Sequence, residues 1–398
     1  MIIHKGFKYR LSPNDEQKQL LLQHAGNARF LWNNLLEKNI EYYKEEKKFN
    51  FGHVMITSLP SLKEEYDFLK LSGSQSLQTV GRQLDAALKD SFKKTKGFPK
   101  FKQKSKNRDS FCCYQRWKQD KKWIKIPKIG KVKWTKHRPL HGRPKSITIT
   151  QDGSDWYCSV LCEIDIKEKP FKDDNIVGID VGLKDFAVLS DGEVIKRRRF
   201  TKDNEEKLSK EQRRLSRKEK GSQNRIKQKV KVQKAHKKIR NSRLDFLHKS
   251  THYMINKYDG FCLENLNVKG MMKNHKLAKS IGDASWGEFV RQLSYKSLWN
   301  HKYFIQIDRW FPSTKACSEC GSIQNMDLDE RTYECHDCGS IMNRDLNAAK
   351  NILYEGLKNT LGHRGINVCG DGKVHAFSDS LNQKLQVTVA EAEKRSFK

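Results

Sequence analysis

The stretch that decides this fold is CHDCGSIMNRDLNAAKNIL, Cys335–Leu353. A two-cysteine knuckle, Cys335-x2-Cys338, closes on Gly339, and seven residues after Cys338 comes Asp345, at the head of a helical stretch. Each half alone is ordinary. In this order they predict that a metal-binding turn positions Asp345 for chemistry.

A matching knuckle, Cys317-x2-Cys320, lies upstream, with fourteen residues between the two pairs. This is close to the four-cysteine zinc-ribbon spacing. Gly321 and Gly339 let backbone amides turn toward the sulfurs. Four thiolates fill a tetrahedral zinc and leave no open position, so the expected Zn2+ is single and structural. His336 lies between stronger ligands and reads as a bystander. The other six cysteines (112, 113, 158, 162, 262 and 369) are scattered. With no apolar signal segment in MIIHKGFKYRLSPNDEQ, a reducing, cytoplasmic setting is expected rather than a disulfide framework.

Charge narrows the function. The 398 residues hold 79 Lys and Arg against 47 Asp and Glu, a net of +32. Such a field opposes compaction unless a polyanion neutralises it. Eight Trp and 19 Phe interleave with the basic residues, which suits contact with backbone and bases. No run of apolar residues is long enough for a membrane span, so a membrane partner is excluded and nucleic acid is expected.

Along the chain, a short lead strand is followed by SPNDEQKQLLLQHAGNARFLWNNLLEKNIEYYKEE, which reads as a helix. Ser12 suits its N-cap, with Pro13 in the first turn and Asp15 facing the dipole. A second helix runs through SLQTVGRQLDAALKDSFKK, with Leu77, Val80, Leu84, Leu88 and Phe92 on one face. From about residue 98, pieces such as WIKIPKIGKVKW and SITITQDGSDWYCSVLCEI alternate apolar and polar residues between Gly, Pro and Asp-Gly turns. They predict a small basic β-barrel. KEKPFKDDN reads as a linker. IVGIDVGLKDFAVLSDGEVI then gives a buried strand, a glycine turn and a second strand. The basic stretch 207–255 reads as a helical hairpin broken at Gly221 and Ser222.

Three acidic residues each stand as the odd polar group beside an apolar element: Asp180 in VGIDVG, Glu264 in GFCLENLNV and Asp345 in NRDLNAAKNI. Gathered together, such carboxylates repel, and divalent ions relieve the repulsion. Two magnesium ions at such a set activate water and stabilise the leaving oxygen of a phosphodiester. Each residue alone also fits a plainer role: Asp180 in a turn, Glu264 as a strand-end cap, Asp345 as a helix cap. Chain order does not decide between the two readings.

GIDVGLKDFAVLSDG, LENLNVKGM, SIGDASWGEFVRQLSYK, FPSTKACSECG, YECHDCG and NRDLNAAKNI, in that order, resemble the TnpB family of transposon-encoded RNA-guided nucleases, which is similar to the type V CRISPR effectors. YRLSPNDEQKQLL and GNARFLWNNLL resemble the family's helical start. The resemblance implies an α/β multidomain chain. Residues 1–10 would give a lead strand of the β-barrel (wedge) domain, 11–97 a helical recognition domain and 98–170 the basic barrel. Residues 171–375 would form an RNase H-like (RuvC) nuclease, with a basic hairpin at 202–258 and an inserted zinc ribbon at 312–341. A tail at 376–398 would be disordered.

The same resemblance implies that Asp180, Glu264 and Asp345 form a catalytic triad holding two Mg2+ ions, and that Ser280–Leu293 forms a lid. It implies a guide RNA from the transposon end and a double-stranded DNA target cut beside a short motif. Where the family often has His-Asp before Arg-Asp, this chain has Met342-Asn343, and one acidic neighbour is missing. In the hairpin, Arg213, Arg214, Arg217, Lys220, Arg225 and Lys229 are candidate phosphate contacts. Gln78 is a candidate base reader. Two rival functions remain: an RNA-guided DNA-binding repressor without cleavage, and a strand-joining transposase, for which no separate motif is visible. The oligomeric state is left open.

Overall fold

The computed structural model describes residues 1–361, apart from 105–108, 168, 171, 173, 174, 328 and 329. The tail expected at 376–398 and Cys369 lie outside the described residues. The chain divides into two compact units, the first ending in sequence at Lys167.

The first unit opens with strand β1 (Ile2–Ser12), followed by helices α1 (Asp15–Glu46), α2 (Gly52–Thr57) and α3 (Leu59–Glu65), a 3-10 turn at Asp67–Leu71 and α4 (Ser74–Phe92). Helix α1 is capped by Asn14, not Ser12. The Asn14 side chain accepts from the Gln17 amide at 2.8 Å, and the Gln17 side chain accepts from the Asn14 amide in return. Ser12 is not available for this role because it is still a rung of β1, paired with Lys133. The reciprocal cap satisfies two amides that the helix itself leaves without partners.

Six further strands complete this unit: β2 (Ser110–Cys113), β3 (Lys118–Gln119), β4 (Trp123–Ile126), β5 (Gly130–Thr135), β6 (Arg143–Asp152) and β7 (Asp155–Asp165). With β1 they make one antiparallel sheet in the order β2-β6-β7-β1-β5-β4-β3. Among the described residues no ladder joins β2 to β3. The alternation is regular: Trp156, Cys158, Val160 and Cys162 point inward from β7, and Phe7, Tyr9 and Leu11 from β1. One hydrophobic cluster contains these side chains together with Leu21, Leu31 and Leu35 of α1 and Leu77, Val80 and Leu84 of α4. The segments expected as a helical domain and a barrel therefore share a core.

The second unit is built on β8 (Ile176–Val181), β9 (Ala187–Leu189) and β10 (Val194–Ile195). After these come α5 (Phe200–Asp203), α6 (Glu205–Ser216), α7 (Gln223–Lys257), β11 (Gly260–Glu264), α8 (Val268–Met271), α9 (His275–Ala284), α10 (Trp286–Trp299) and β12 (Tyr303–Ile307). The hairpin breaks where the sequence predicts: Ser222 caps α7, and Gly221 sits at a φ of +91°, which favours glycine. The sheet order is β10-β9-β8-β11-β12. Strands β8, β9 and β10 pair antiparallel, while β11 runs parallel to both β8 and β12.

The two faces of this sheet are covered differently. Val177, Ile179, Phe261 and Leu263 pack with Leu247 and Met254 of α7 and Phe289 and Leu293 of α10. Gly178 and Cys262 lie on the opposite face, because side chains alternate along a strand. There the last helix, α11 (Arg344–Leu361), covers the sheet, with Ile352 packed against Cys262 and Ile305. A short pair of strands, β13 (Thr332–Glu334) and β14 (Ile341–Asn343), leads directly into α11. Among the described residues no helix is long and apolar enough to cross a membrane.

Candidate active site and metal centre

The site is built on a missing side chain. A Cβ at Gly178 would fall on the Ala349 carbonyl oxygen and within 2.7 Å of the Leu353 amide nitrogen. Glycine alone lets α11 lie directly on β8. Asp180 is two residues further along β8 and so projects to the same face. On β11, Leu263 pairs with Ile179 in the last rung of the ladder, so Glu264 and Asp180 each follow that rung, and the charge of Glu264 acts on Asp180. Asp345 is one helical turn before Ala349. The three carboxylates expected from the sequence therefore lie in one region, where two parallel strands end beneath the start of α11, near enough for the charges of Glu264 and Asp345 to act on Asp180.

Their mutual field is visible at Asp180. Burial, then the charges of Glu264 and Asp345, raise its carboxyl from 3.8 to about 7, with Arg344 opposing. Glu264 accepts a short hydrogen bond from the Ser313 hydroxyl. Asp345 is held by Arg344 at 3.3 Å and faces Arg331 at 3.8 Å. Among the described residues, only the four cysteines draw three or more such ligands within 4.8 Å of one another. The carboxylates stand further apart, with Asp345 turned to its arginines. An anionic cluster of this kind fits divalent cations, which would replace the arginines and lift the repulsion.

Asn343, at the family's acidic position, is the N-cap of α11. Its side-chain oxygen accepts from the amides of Asp345 at 2.9 Å and Leu346 at 3.2 Å. Met342 packs against the cysteine knuckles instead of toward the carboxylates. The departure from the family pattern thus keeps the start of the helix in place.

The cysteine cluster fits a tetrahedral zinc. Cys317 and Cys338 sulfurs lie 3.8 Å apart, and those of Cys320 and Cys335 3.6 Å. Zinc–sulfur bonds of 2.3 Å require a separation of about 3.8 Å. The knuckles repeat each other. Gly321 donates to the Cys317 carbonyl and Gly339 to the Cys335 carbonyl, both at 2.9 Å. The glycines sit at φ values of +79° and +69°. The Ser322 hydroxyl and the amides of Cys338 and Asp337 lower the Cys335 thiol, while the neighbouring cysteines, Cys335 first, push that of Cys338 up.

Two buried asparagines, missed from the sequence, join this cluster to the carboxylates. Asn347 donates to the Ala316 carbonyl at 2.7 Å and accepts from the Ser318 amide at 2.9 Å. Asn351 donates to the carbonyls of Ser313 and Ala316. The first knuckle is thereby fastened to α11, and Ser313, in the same loop, holds Glu264. Both asparagines lie on one helix face, four residues apart, and asparagine is a weak helix former. That repetition was the available signal.

The expected lid segment, Ser280–Leu293, spans the end of α9 and the first part of α10, joined at Ser285 in a left-handed conformation. Asp283, also missed, is buried and pairs with Arg243 at 2.9 Å. The basic candidates divide. Arg213, Arg214, Arg217, Lys220 and Lys229 are exposed on the hairpin. Arg225 turns inward and donates to the carbonyls of Leu215 and Lys218, so it braces the hairpin. Gln78 is half-buried on α4.

Fold and site together define an α/β protein with a carboxylate cluster and an adjoining four-cysteine centre. A solved Cas12f1–sgRNA–target DNA complex contains a chain of similar fold, with a TM-score of 0.57 and 14% identity, over 88% of this chain and 98% of that one. Residues 159–275 match a family model described as "Probable transposase" (OrfB of IS605), residues 286–352 a Cas12f1-like TNB domain and residues 1–48 a helix-turn-helix domain. Here residues 1–48 form β1 and the single long helix α1. A Streptomyces pristinaespiralis protein named "Putative RNA-guided DNA endonuclease" is 35% identical, over 93% of this chain and 92% of its own. The Escherichia coli K12 protein "Putative RNA-guided DNA endonuclease InsQ" is 33% identical, over 88% and 92%. The chain belongs to the TnpB (IS605 OrfB) family.

Proposed function

We propose that this chain is an RNA-guided DNA endonuclease of a transposon, with Asp180, Glu264 and Asp345 as its catalytic carboxylates. The observation that carries the reading is the position of Asp180 and Glu264, each the residue just past the last paired rung of β8 and β11, on the face that Gly178 opens to α11, where the charge of Glu264 acts on Asp180. The names of the relatives agree with it. The 3-2-1-4-5 strand order of the second unit supports an RNase H-like (RuvC) nuclease at 171–375. In the first unit, 1–10 and 98–170 would serve as the wedge and 11–97 as the recognition domain.

Two magnesium ions held by the three carboxylates would activate a water and stabilise the leaving oxygen. The chain's own residues arrange this site. Asn343 fixes the first turn of α11 and thus the direction of Asp345. Ser313 orients Glu264. Arg344 and Arg331 neutralise Asp345 until ions enter. The four thiolates hold one structural zinc, and the asparagines transmit that fixed geometry to α11. The RNA comes from the transposon end, and the exposed hairpin cations contact phosphates. Pairing with the guide selects the DNA, while protein reads shape and a short adjacent motif.

The test uses purified protein, guide RNA, matched target and magnesium. Asp180→Ala, Glu264→Ala and Asp345→Ala each abolish cutting and retain guide RNA. Strong cutting by Asp345→Ala would contradict the assignment. Tight guided binding without cutting by the unaltered protein would replace the nuclease with a repressor.

A further inference from the structure

Trp310 is 84% exposed, far beyond any other large apolar side chain among the described residues. A solvent-facing indole forfeits the burial that usually holds a tryptophan, so its position needs a partner. It is also not on a loose end. Its amide donates to the Asp308 carboxylate at 2.7 Å. Its neighbour Phe311 packs against Cys262, Ile305, Ile307 and Ile352.

The location is informative. Strand β12 ends at Ile307, which pairs with Glu264. Arg309 donates to the carbonyl of Asn265, the residue after Glu264, at 3.2 Å. Ser313 donates to Glu264 itself. Trp310 is therefore held between two contacts to Glu264 and Asn265, on the rim of the carboxylate cluster, with the exposed Arg309 beside it.

We infer that Trp310 stacks on an unpaired base of the DNA strand entering this site, next to the scissile phosphate, with Arg309 facing the backbone. This rests on the nuclease reading above. Stacking on one aromatic face requires a base out of its duplex. Every base has such a face, so the contact tolerates sequence. That suits a nuclease whose target is chosen elsewhere, by its guide. A second copy of the chain is disfavoured as the occupant, because two surfaces of a chain carrying +32 repel.

Two measurements test it. In the first, tryptophan emission of the unaltered protein and of Trp310→Phe is titrated with a single-stranded thymidine decamer, without divalent ion, and with the corresponding duplex. The difference between the proteins isolates Trp310. Quenching of that difference by the single strand and not by the duplex is expected; no quenching overturns the inference. In the second, guide-loaded protein cuts targets carrying one abasic position each around the cut. One position slows the unaltered protein about tenfold. Trp310→Ala is slowed as much on intact target and is insensitive to that abasic position, while Trp310→Phe retains most activity. Trp310→Ala cutting at the original rate overturns the inference, as does a dimer that this substitution dissociates. Quenching without any cutting would sink the nuclease reading and leave the stacking site standing.

Discussion

Gly178 and Ala349 meet without a side chain between them: the Ala349 carbonyl occupies the space a Cβ on Gly178 would need. This approach sets the height of α11 over β8, and with it the distance from Asp345 to Asp180. Gly178→Ala should displace the helix and cost about 1–3 kcal/mol, the usual range for overpacking. Cutting should fall far more than stability. Guided cleavage rates beside denaturation midpoints check this; a variant that cuts normally would contradict it.

Asn351 donates to the carbonyls of Ser313 and Ala316, in the loop that leads into the first knuckle. Asn351→Ala leaves a buried carbonyl without its donor, at a cost of about 1–3 kcal/mol. Because Ser313 sits in that loop and holds Glu264, cutting should slow while zinc content stays unchanged. Elemental analysis and cleavage rates on the same sample separate the two effects.

The Asp180 carboxyl gives a signed pH dependence. Raised from 3.8 to about 7, it keeps a proton in the native state that the unfolded chain has already lost. Without divalent ions, stability should therefore fall as pH rises across that window. Binding an ion must expel the proton. Magnesium binding should release about one proton near pH 6 and almost none near pH 8. Calorimetry in two buffers of different protonation enthalpy reads this directly. No release at the lower pH would contradict the cluster.

The two metal sites should separate under chelation. Brief mild chelation should stop cutting, and magnesium should restore it. About one zinc per chain should remain throughout, because a four-thiolate site holds its ion tightly and contributes to folding. Loss of zinc in step with activity would contradict this division.

Much of the second unit was legible because its signals are chemical and local. The four cysteines carry their own spacing, and a lone carboxylate closing an apolar strand stands out in VGIDVG and GFCLENLNV. Gly221 marked the hairpin break. What stayed hidden depends on tertiary partners. Asn347, Asn351 and Asp283 read as surface polar residues until the groups they bond are known. Ser12 was a sound cap by type, but its strand pairing takes precedence and passes the role to Asn14. Arg225 looked like one more phosphate contact, and only its two carbonyl partners reveal a brace. Trp310 was one of eight tryptophans until its exposure singled it out.

The central claim is that RNA, not protein, chooses the cut. The most direct measurement replaces the guide segment, about 20 nucleotides by analogy with related guided systems, and sequences the cut ends. Cleavage should move to the newly matched site beside the same short motif, and mismatches next to that motif should hurt most, because pairing nucleates there. Cleavage that stays at the old site, or proceeds equally without RNA, would contradict it.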